Sequence, residues 1–231
     1  MIAGCPSMRM IDVGVTGGVG EGKSFICALF EKMGASIIDA DTIGHRLLRE
    51  DLQVQNALLS VFGSQIRNEE GQISRQLLGR LVFMNPPHLR RLNEITHPFI
   101  LQGIARELSL RRVQYPSQLM IVEAPLLFEA RLEKYFQRIV VVHAPDKLRL
   151  ERILRRPEMT NERALQIIHA QIASEEKRRW ADFVIDNSSE IERVASQVYK
   201  IFLQIAVQLG KEGPCALPSV VMTTCLPDGS Y

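Results

Sequence analysis

The residues of this 231-residue chain with the clearest chemical pattern form a glycine-rich segment near its beginning. In chain order they are Gly17, Gly18, Val19, Gly20, Glu21, Gly22, Lys23 and Ser24, which fit G-x-x-x-x-G-K-[ST]. Glycines let backbone N–H groups converge closely on phosphate oxygens, because no Cβ obstructs the approach. Lys23 would bind the β- and γ-phosphates of a nucleoside triphosphate, and the Ser24 hydroxyl would bind Mg²⁺. The structural alternative is a glycine-rich turn with a solvated lysine.

Two carboxylates, Asp39 and Asp41, follow the second apolar run of the chain. Residues two apart in a strand point to the same face, so both could lie at the ligand-facing end of a parallel strand. Either could orient or deprotonate an acceptor hydroxyl, or approach Mg²⁺ through water. Asp41 could equally be the N-cap of a helix over residues 42–49. The spacing leaves both interpretations of Asp41 open.

Glu123 and His97 are further candidates for a functional role. Glu123 ends the apolar run 119–122, where an acid directed at magnesium is common in proteins with such a glycine-rich loop. A carboxylate at the end of a strand can also simply bind loop amides. His97, directly before Pro98, could act in the site, or it could be a helix cap or an internal hydrogen-bond donor.

Three arginines could neutralise the charge of a phosphoryl group in transfer. Arg152, Arg155 and Arg156 have i, i+3 and i+4 spacing, so they share one face of a predicted helix. Phosphoryl transfer is accelerated by such cations. A solvated helix face is the alternative, but the presence of a phosphate-binding loop in the same chain favours a lid.

The elements that must position these residues alternate between apolar runs and amphipathic stretches, a pattern typical of a parallel sheet covered by helices. The runs are rich in Val and Ile throughout, which suits strands buried on both faces. The predicted fold is a doubly wound α/β sheet of five parallel strands, over residues 11–16, 36–39, 118–123, 138–143 and 183–186.

The interval between the second and third predicted strands is too long for a single crossover. It contains several helical patterns, including one that follows Pro86 and Pro87, so we expect an inserted helical subdomain. A long last helix should end at Gly210. The segment 211–231 has little periodicity and is expected to be a mobile tail.

Composition excludes several classes of protein. The chain has 28 Lys and Arg against 26 Asp and Glu, a net charge of +2, which argues against a basic arm for nucleic acid. Its apolar runs are shorter than the roughly 18 residues of a membrane span, and residues 1–8 do not resemble a secretion signal, so a cytoplasmic protein is expected. Four scattered cysteines indicate free thiols rather than a structural metal site.

An ordered set of short motifs resembles the dephospho-coenzyme A kinase family over residues 10–209. The glycine-rich segment alone is common to many nucleotide-binding proteins, whereas the whole set is specific. Its other members are Ile38-Asp39-Ala40-Asp41 with His45, Thr96-His97-Pro98-Phe99-Ile100, Pro125-Leu126-Leu127-Phe128-Glu129, Arg155-Arg156, Gln171, Glu176-Lys177-Arg178 and Ala181-Asp182-Phe183-Val184-Ile185-Asp186-Asn187.

The resemblance implies transfer of the γ-phosphate of ATP to the ribose 3′-hydroxyl of dephospho-CoA, with Mg²⁺ at Ser24. It makes Asp41 the expected base, and it makes Lys23 and Arg156 its catalytic partners, with Arg156 on the lid. Asn187 would lie near the adenine or ribose of ATP. The implied nucleotide-binding residues are Gly17, Gly18, Val19, Gly20, Glu21, Gly22, Lys23, Ser24, Phe25 and Asn187. The implied acceptor-binding residues are Asp41, His45, Arg75 and His97.

The same resemblance implies a P-loop fold of the nucleoside monophosphate kinase type. A single kinase domain would cover residues 9–209, with its core at 9–41 and 117–209. The helical acceptor-binding insertion would cover about 42–116 and the lid about 152–178, with flexible ends at 1–8 and 210–231. We expect a monomer or small homo-oligomer whose partners are ATP and dephospho-CoA, without nucleic acid or membrane.

Several residues depart from the family pattern: Glu21 replaces Ser, Phe25 replaces Thr, Pro157 follows the lid arginine, Glu123 replaces Asp and Ser74 precedes Arg75. Nucleotide affinity and lid behaviour are therefore open. The alternatives are another small-molecule kinase of nucleoside or shikimate type, a non-catalytic coenzyme A-binding protein, and a GTP-dependent switch. The switch is disfavoured because the D-x-x-G match at residues 41–44 has no N-K-x-D motif to accompany it.

Overall fold

The computed structural model describes residues 11–83, 85–157 and 159–214. Within them lies a five-stranded sheet. Its strands are β1 Ile11–Thr16, β2 Ser36–Asp39, β3 Met120–Glu123, β4 Phe136–His143 and β5 Phe183–Asp186. Their order in the sheet is β2-β3-β1-β4-β5. β1 pairs in parallel with both β3 and β4, and β4 pairs in parallel with β5. The predicted α/β fold with a doubly wound parallel sheet is confirmed.

The helices follow the strands in the alternation that the sequence predicts. They are α1 Lys23–Lys32, α2 Ala40–Glu50, α3 Leu52–Phe62, α4 Arg75–Phe83, α5 Pro86–Gln114, α6 Asp146–Leu154, α7 Asn161–His169, α8 Ser174–Arg179 and α9 Ile191–Leu209. Two single turns of 3₁₀-helix cover Ser64–Ile66 and Glu133–Tyr135. No helix of the described residues is both long and apolar enough to cross a membrane.

The described chain divides into two compact units. The first contains the residues before 39 and after 107 and so includes the sheet. Its core joins α1 and α9 to the strands, with Phe30 of α1 against Phe202 of α9 at 5.9 Å between ring centroids. Because β1 is fully buried, the loop that follows it is anchored on a rigid strand.

The second unit, residues 39–107, is helical and has a small core of its own. This core is formed by Val54, Leu58, Phe62, Ile66, Leu78 and Val82. Its apolar residues recur at helical spacing on α3 and α4, which is the pattern that predicted helices in this interval.

One predicted feature of the chain ends, the stop of the last helix at Gly210, can be compared with the structure. Gly210 ends α9 in the left-handed conformation, with φ 61°, as expected for a glycine after a helix. The predicted flexible end at residues 1–8, and residues 215–231 of the predicted C-terminal tail, lie outside the described residues.

Candidate active site

The glycine-rich segment forms a loop between buried β1 and the start of α1 at Lys23. Gly20 and Gly22 have φ of 77° and 87°, a region that residues with a Cβ rarely adopt. A Cβ at Gly22 would lie 2.1 Å from Nδ2 of Asn187, and one at Gly20 would lie 2.7 Å from the carbonyl oxygen of Arg149. Both positions therefore require glycine for conformation and for space.

Lys23 and Ser24 occupy the first turn of α1. The Lys23 Nζ donates a hydrogen bond to the carbonyl oxygen of Gly18 at 3.0 Å, so its side chain folds back over the loop. The Ser24 hydroxyl donates to Oε1 of Glu123 at 3.0 Å. Phe25, by contrast, is partly buried and packs against the core of the sheet. Lys23 and Ser24 therefore lie at the junction of the loop and the helix that follows it.

The pair of Ser24 and Glu123 has the chemistry of a magnesium site. Glu123 ends β3, whose register places it beside Val15 of β1, and it is 9% exposed. A hydroxyl and a carboxylate supply the hard oxygen ligands that Mg²⁺ prefers, and Mg²⁺ commonly uses one or two such groups together with substrate phosphates. The residues present therefore fit the ion that the sequence motif implies.

Asn187 supports the loop through hydrogen bonds. It follows β5 directly, is buried, and its Nδ2 donates to the carbonyl oxygen of Glu21 at 2.8 Å. Its backbone N–H donates to the carbonyl oxygen of His143 at 2.8 Å, which ties the loop to β4. The predicted place of Asn187 near adenine or ribose remains a prediction, and in this structure its side chain binds the loop.

Of the three arginines predicted to share a helix face, Arg152 contacts the loop. The predicted face is not formed by all three, because α6 ends at Leu154 and Arg155 and Arg156 follow its end. The Arg152 Nη1 lies 3.3 Å from the carbonyl oxygen of Gly20 and 3.4 Å from that of Glu21, and its Nη2 donates to that of Asn187 at 2.9 Å. Burial, and secondarily the charge of Arg155, lowers the pKa of Arg152 from its ordinary value. The three carbonyl oxygens compensate part of that desolvation. Arg155 and Arg156 are exposed.

Sequence reasoning assigned no role to two side chains that bind the loop. The backbone N–H of Val19 donates to Oε1 of Gln171 at 2.8 Å, and Nε of Arg149 donates to the carbonyl oxygen of Val19 at 3.1 Å. Arg149 is buried. A signal was present, because Arg149 and Arg152 have i, i+3 spacing and so share one face of α6.

Asp39, not Asp41, is the N-cap of α2. Its Oδ1 accepts hydrogen bonds from the backbone N–H of Asp41 at 2.8 Å and of Thr42 at 3.2 Å. Its Oδ2 accepts one from the Thr42 hydroxyl at 2.6 Å. The interpretation of Asp41 as a cap is therefore wrong, because the helix begins at Ala40, two residues earlier than a cap at Asp41 would require. Asp41 lies exposed in the first turn.

A pocket of about 210 Å³ in the helical unit brings Asp41, His45 and Arg75 together. Nη1 of Arg75 lies 3.3 Å from Nδ1 of His45. Burial lowers the pKa of His45, and the charge of Arg75 adds to this against the opposite influence of Asp41 and Asp39. A neutral imidazole can accept the hydrogen bond from Arg75. The rest of the lining is largely apolar and includes Leu47, Leu78 and Ile100.

His97 lies in the interior of α5, so it does not precede a helix and cannot be its cap. Its neighbour Thr96 lines the pocket, but among the described residues His97 itself does not. The side chain is partly buried, and this burial lowers the pKa of His97 below its ordinary value of 6.5. The folded protein therefore favours the neutral ring.

We expect the substitution His97→Gln to weaken the dependence of stability on pH. Because the pKa of His97 is lower in the folded state, the unfolded chain binds a proton first as pH falls below about 6.5, and stability present above that value is lost. One proton contributes at most about 1.4 kcal/mol per pH unit. Urea unfolding at pH 7 and pH 5 measures the effect, with exposed His169→Gln as the control. An equally steep loss of stability in the His97 variant would contradict it.

Comparison with known proteins agrees with these features. Residues 11–193 match the family described as dephospho-CoA kinase. The dephospho-CoA kinase of Dehalococcoides mccartyi is 38% identical over 186 residues, which are 80% of this chain and 93% of that protein. The crystal structure of a Thermus thermophilus protein is 30% identical, with a TM-score of 0.74 over 89% of this chain and all of that one. The dephospho-CoA kinase from Campylobacter jejuni is 28% identical, with a TM-score of 0.62 over 86% of this chain and 98% of that one. On the length and identity of these matches, and on the loop they include, the chain belongs to the dephospho-CoA kinase family.

Proposed function

We propose that this chain transfers the γ-phosphate of ATP to the ribose 3′-hydroxyl of dephospho-CoA, the last step of coenzyme A biosynthesis. The observation that carries the proposal is the phosphate-binding loop, with its left-handed glycines and with Lys23 and Ser24 at the start of α1. Family membership supports ATP as the donor and dephospho-CoA as the acceptor. We place the enzyme in the cytoplasm, as a monomer or small homo-oligomer.

The loop would bind the triphosphate through backbone N–H groups and through the positive end of α1. Lys23 would exchange its hydrogen bond with Gly18 for the β- and γ-phosphates, and its charge would act most strongly as the leaving oxygen becomes negative. Arg152 and Asn187 would keep the carbonyl groups of Gly20 and Glu21 turned outward, away from the phosphates. These contacts fix the direction of the carbonyl groups of the loop.

Ser24 and Glu123 would hold the Mg²⁺ ion that accompanies ATP. The ion would neutralise negative charge on the phosphates. Ser24 would bind it through its hydroxyl, and Glu123 would bind it directly or through water. The hydrogen bond between them fixes the orientation of both side chains.

We expect Glu123→Gln to raise the Mg²⁺ concentration required for half-maximal rate by about tenfold. Losing an orienting partner at a metal site typically reduces metal affinity by about 10- to 100-fold. The measurement is initial rate against free Mg²⁺ at saturating ATP, with Glu133→Gln, an exposed carboxylate outside the site, as the control. An unchanged Mg²⁺ requirement would remove Glu123 from the metal site.

The pocket of the helical unit would bind the acceptor. Asp41 would accept the proton of the attacking hydroxyl, and Arg75 would bind a phosphate of the acceptor's diphosphate. His45, held neutral, can accept a hydrogen bond from Arg75 and donate one to the acceptor from its other ring nitrogen. The apolar lining suits the non-ionic parts of the acceptor. We assign His97 a supporting role in the same unit.

Arg156 would act from a lid formed by residues 152–178. Its guanidinium is exposed and could approach the transferring phosphoryl group when the lid closes. Closure would exclude water and suppress hydrolysis of ATP. The helical insertion at about 42–116 would be the acceptor-binding part, and residues 9–41 and 117–209 would be the core of the kinase.

A comparison of acceptors tests the proposal. With ATP and Mg²⁺, ADP formation is measured with dephospho-CoA, adenosine and shikimate at several concentrations of each. We expect kcat/KM for dephospho-CoA to exceed the others by at least about 10²-fold, because the acceptor's diphosphate has a binding partner in Arg75. A higher kcat/KM for adenosine or shikimate would overturn the proposal.

A further inference from the structure

A buried pair of opposite charges lies beneath the phosphate-binding loop. Glu21, inside the loop, has no exposed surface, and Arg149 of α6 is 4% exposed. The Glu21 Oε1 lies 3.8 Å from Nε of Arg149, which is close enough for charge compensation but too long for a hydrogen bond. Among the described residues Oε1 has no hydrogen-bond partner. Arg149 therefore places an opposite charge beside this buried carboxylate oxygen.

The Glu21 carboxylate is bonded within the loop itself. Its Oε2 accepts a hydrogen bond from the backbone N–H of Gly18, and its side chain is fully buried. Through this hydrogen bond Glu21 fixes the backbone of Gly18 from inside the protein.

Arg149, on α6, contacts three residues of the loop, Gly18, Val19 and Gly20. Its Nε donates to the carbonyl oxygen of Val19, and Nη2 lies 2.5 Å from where a Cβ of Gly18 would be. The carbonyl oxygen of Arg149 lies 2.7 Å from where a Cβ of Gly20 would be. Nη1 donates to Oδ1 of Asp146 at 2.8 Å, but that carboxylate is 80% exposed and compensates the buried charge only weakly.

We propose that Glu21 and Arg149 are mutually dependent positioning residues, which together hold the backbone of Gly18, Val19 and Gly20 in the arrangement that binds phosphate. The inference rests on the proposed function to the extent that ATP binds this loop.

The dependence follows from the cost of burying an isolated charge. Removing one member of a buried ion pair leaves the other without compensation and is strongly destabilising, whereas replacing both by uncharged groups is often nearly neutral. In this chain the uncompensated charge would lie against the loop, so the loop should rearrange first. ATP binding should suffer, while binding of dephospho-CoA to the other unit should not.

The test is a double-mutant cycle of Glu21→Gln, Arg149→Gln and the double variant. ATP affinity is measured by calorimetry, and kcat and both KM values are measured in steady state. We expect each single variant to bind ATP at least about tenfold more weakly, and the double variant to recover to within about threefold of the wild type. KM for dephospho-CoA should change less than about twofold in all three, which a general loss of structure would not produce. Glu151→Gln and Lys147→Gln, exposed on α6, are the matched controls.

Each outcome decides the inference. If the double variant loses ATP affinity by a factor equal to the product of the two single-variant factors, the inference is overturned. Single variants with wild-type affinity for ATP would also overturn it. Thermal unfolding of all variants distinguishes loop rearrangement from loss of the fold. If both single variants are unfolded but the double variant is folded and binds ATP, the mutual dependence of the pair is supported. If all three variants are unfolded, it is contradicted. A wild-type protein that does not bind ATP would instead refute the proposed function.

Discussion

Lys23→Ala is expected to reduce turnover by at least about 10²-fold, the cost of removing one preorganised electrostatic contact to a transition state. Lys23 begins α1 directly after Gly22, and its Nζ already lies over the loop at 3.0 Å from the carbonyl oxygen of Gly18. The loss should be larger in kcat than in the affinity for ATP, because the charge on the leaving oxygen develops only in the transition state.

The measurement is kcat and KM for ATP at saturating dephospho-CoA, together with thermal unfolding. Lys32→Ala, in the exposed last turn of the same helix, is the matched control and should keep wild-type turnover. Unchanged turnover of the Lys23 variant would exclude this residue from the mechanism.

Asp41→Asn is expected to lower kcat by about 10²- to 10⁴-fold, the usual contribution of a general base. The amide keeps the size of the side chain but cannot accept the proton of the hydroxyl. Since Asp41 is exposed in the first turn of α2 and is not its cap, stability should fall by no more than about 1 kcal/mol, the contribution of a charge near a helix N-terminus.

Asp39→Asn is the control that separates catalysis from capping. Asn is as good an N-cap as Asp, so this variant should keep both its stability and its turnover. Equal losses of kcat in the two variants would mean that the integrity of α2 matters, not a proton acceptor at residue 41. A wild-type kcat for Asp41→Asn would remove the base from the mechanism.

The sheet could be predicted because its strands come from runs rich in Val and Ile. Such runs are typical of buried parallel strands, and all five were found. The first residues of two strands differ from the predicted ones. β3 begins at Met120, two residues later than predicted, and β4 begins at Phe136, two earlier, because Phe136 pairs with Ile11 of β1. Such pairing is a long-range property that the local pattern does not contain.

The loop between β1 and α1 could be predicted from the spacing of its glycines, Lys23 and Ser24, but the residues that support the loop could not. Asn187 contacts a carbonyl group 166 residues away in sequence, and Gln171 contacts an amide 152 residues away. The direction of Glu21 also depends on irregular loop dihedrals and on Arg149, which α6 brings underneath. For Asp41 the local sequence allowed either a base or a cap, and a cap at Asp39 was not predicted. The extended conformation of Asp39, with φ −93° and ψ 112°, makes that residue the cap.

The central claim is that the loop presents ATP to the ribose hydroxyl of dephospho-CoA. The most direct measurement is to incubate the protein with γ-labelled ATP, Mg²⁺ and dephospho-CoA, isolate the labelled product, and locate the phosphate by ³¹P NMR. We predict one labelled product, with a monophosphate on the ribose 3′-hydroxyl and stoichiometric ADP. Label released only as inorganic phosphate, or attached at another position of the acceptor, would contradict the account.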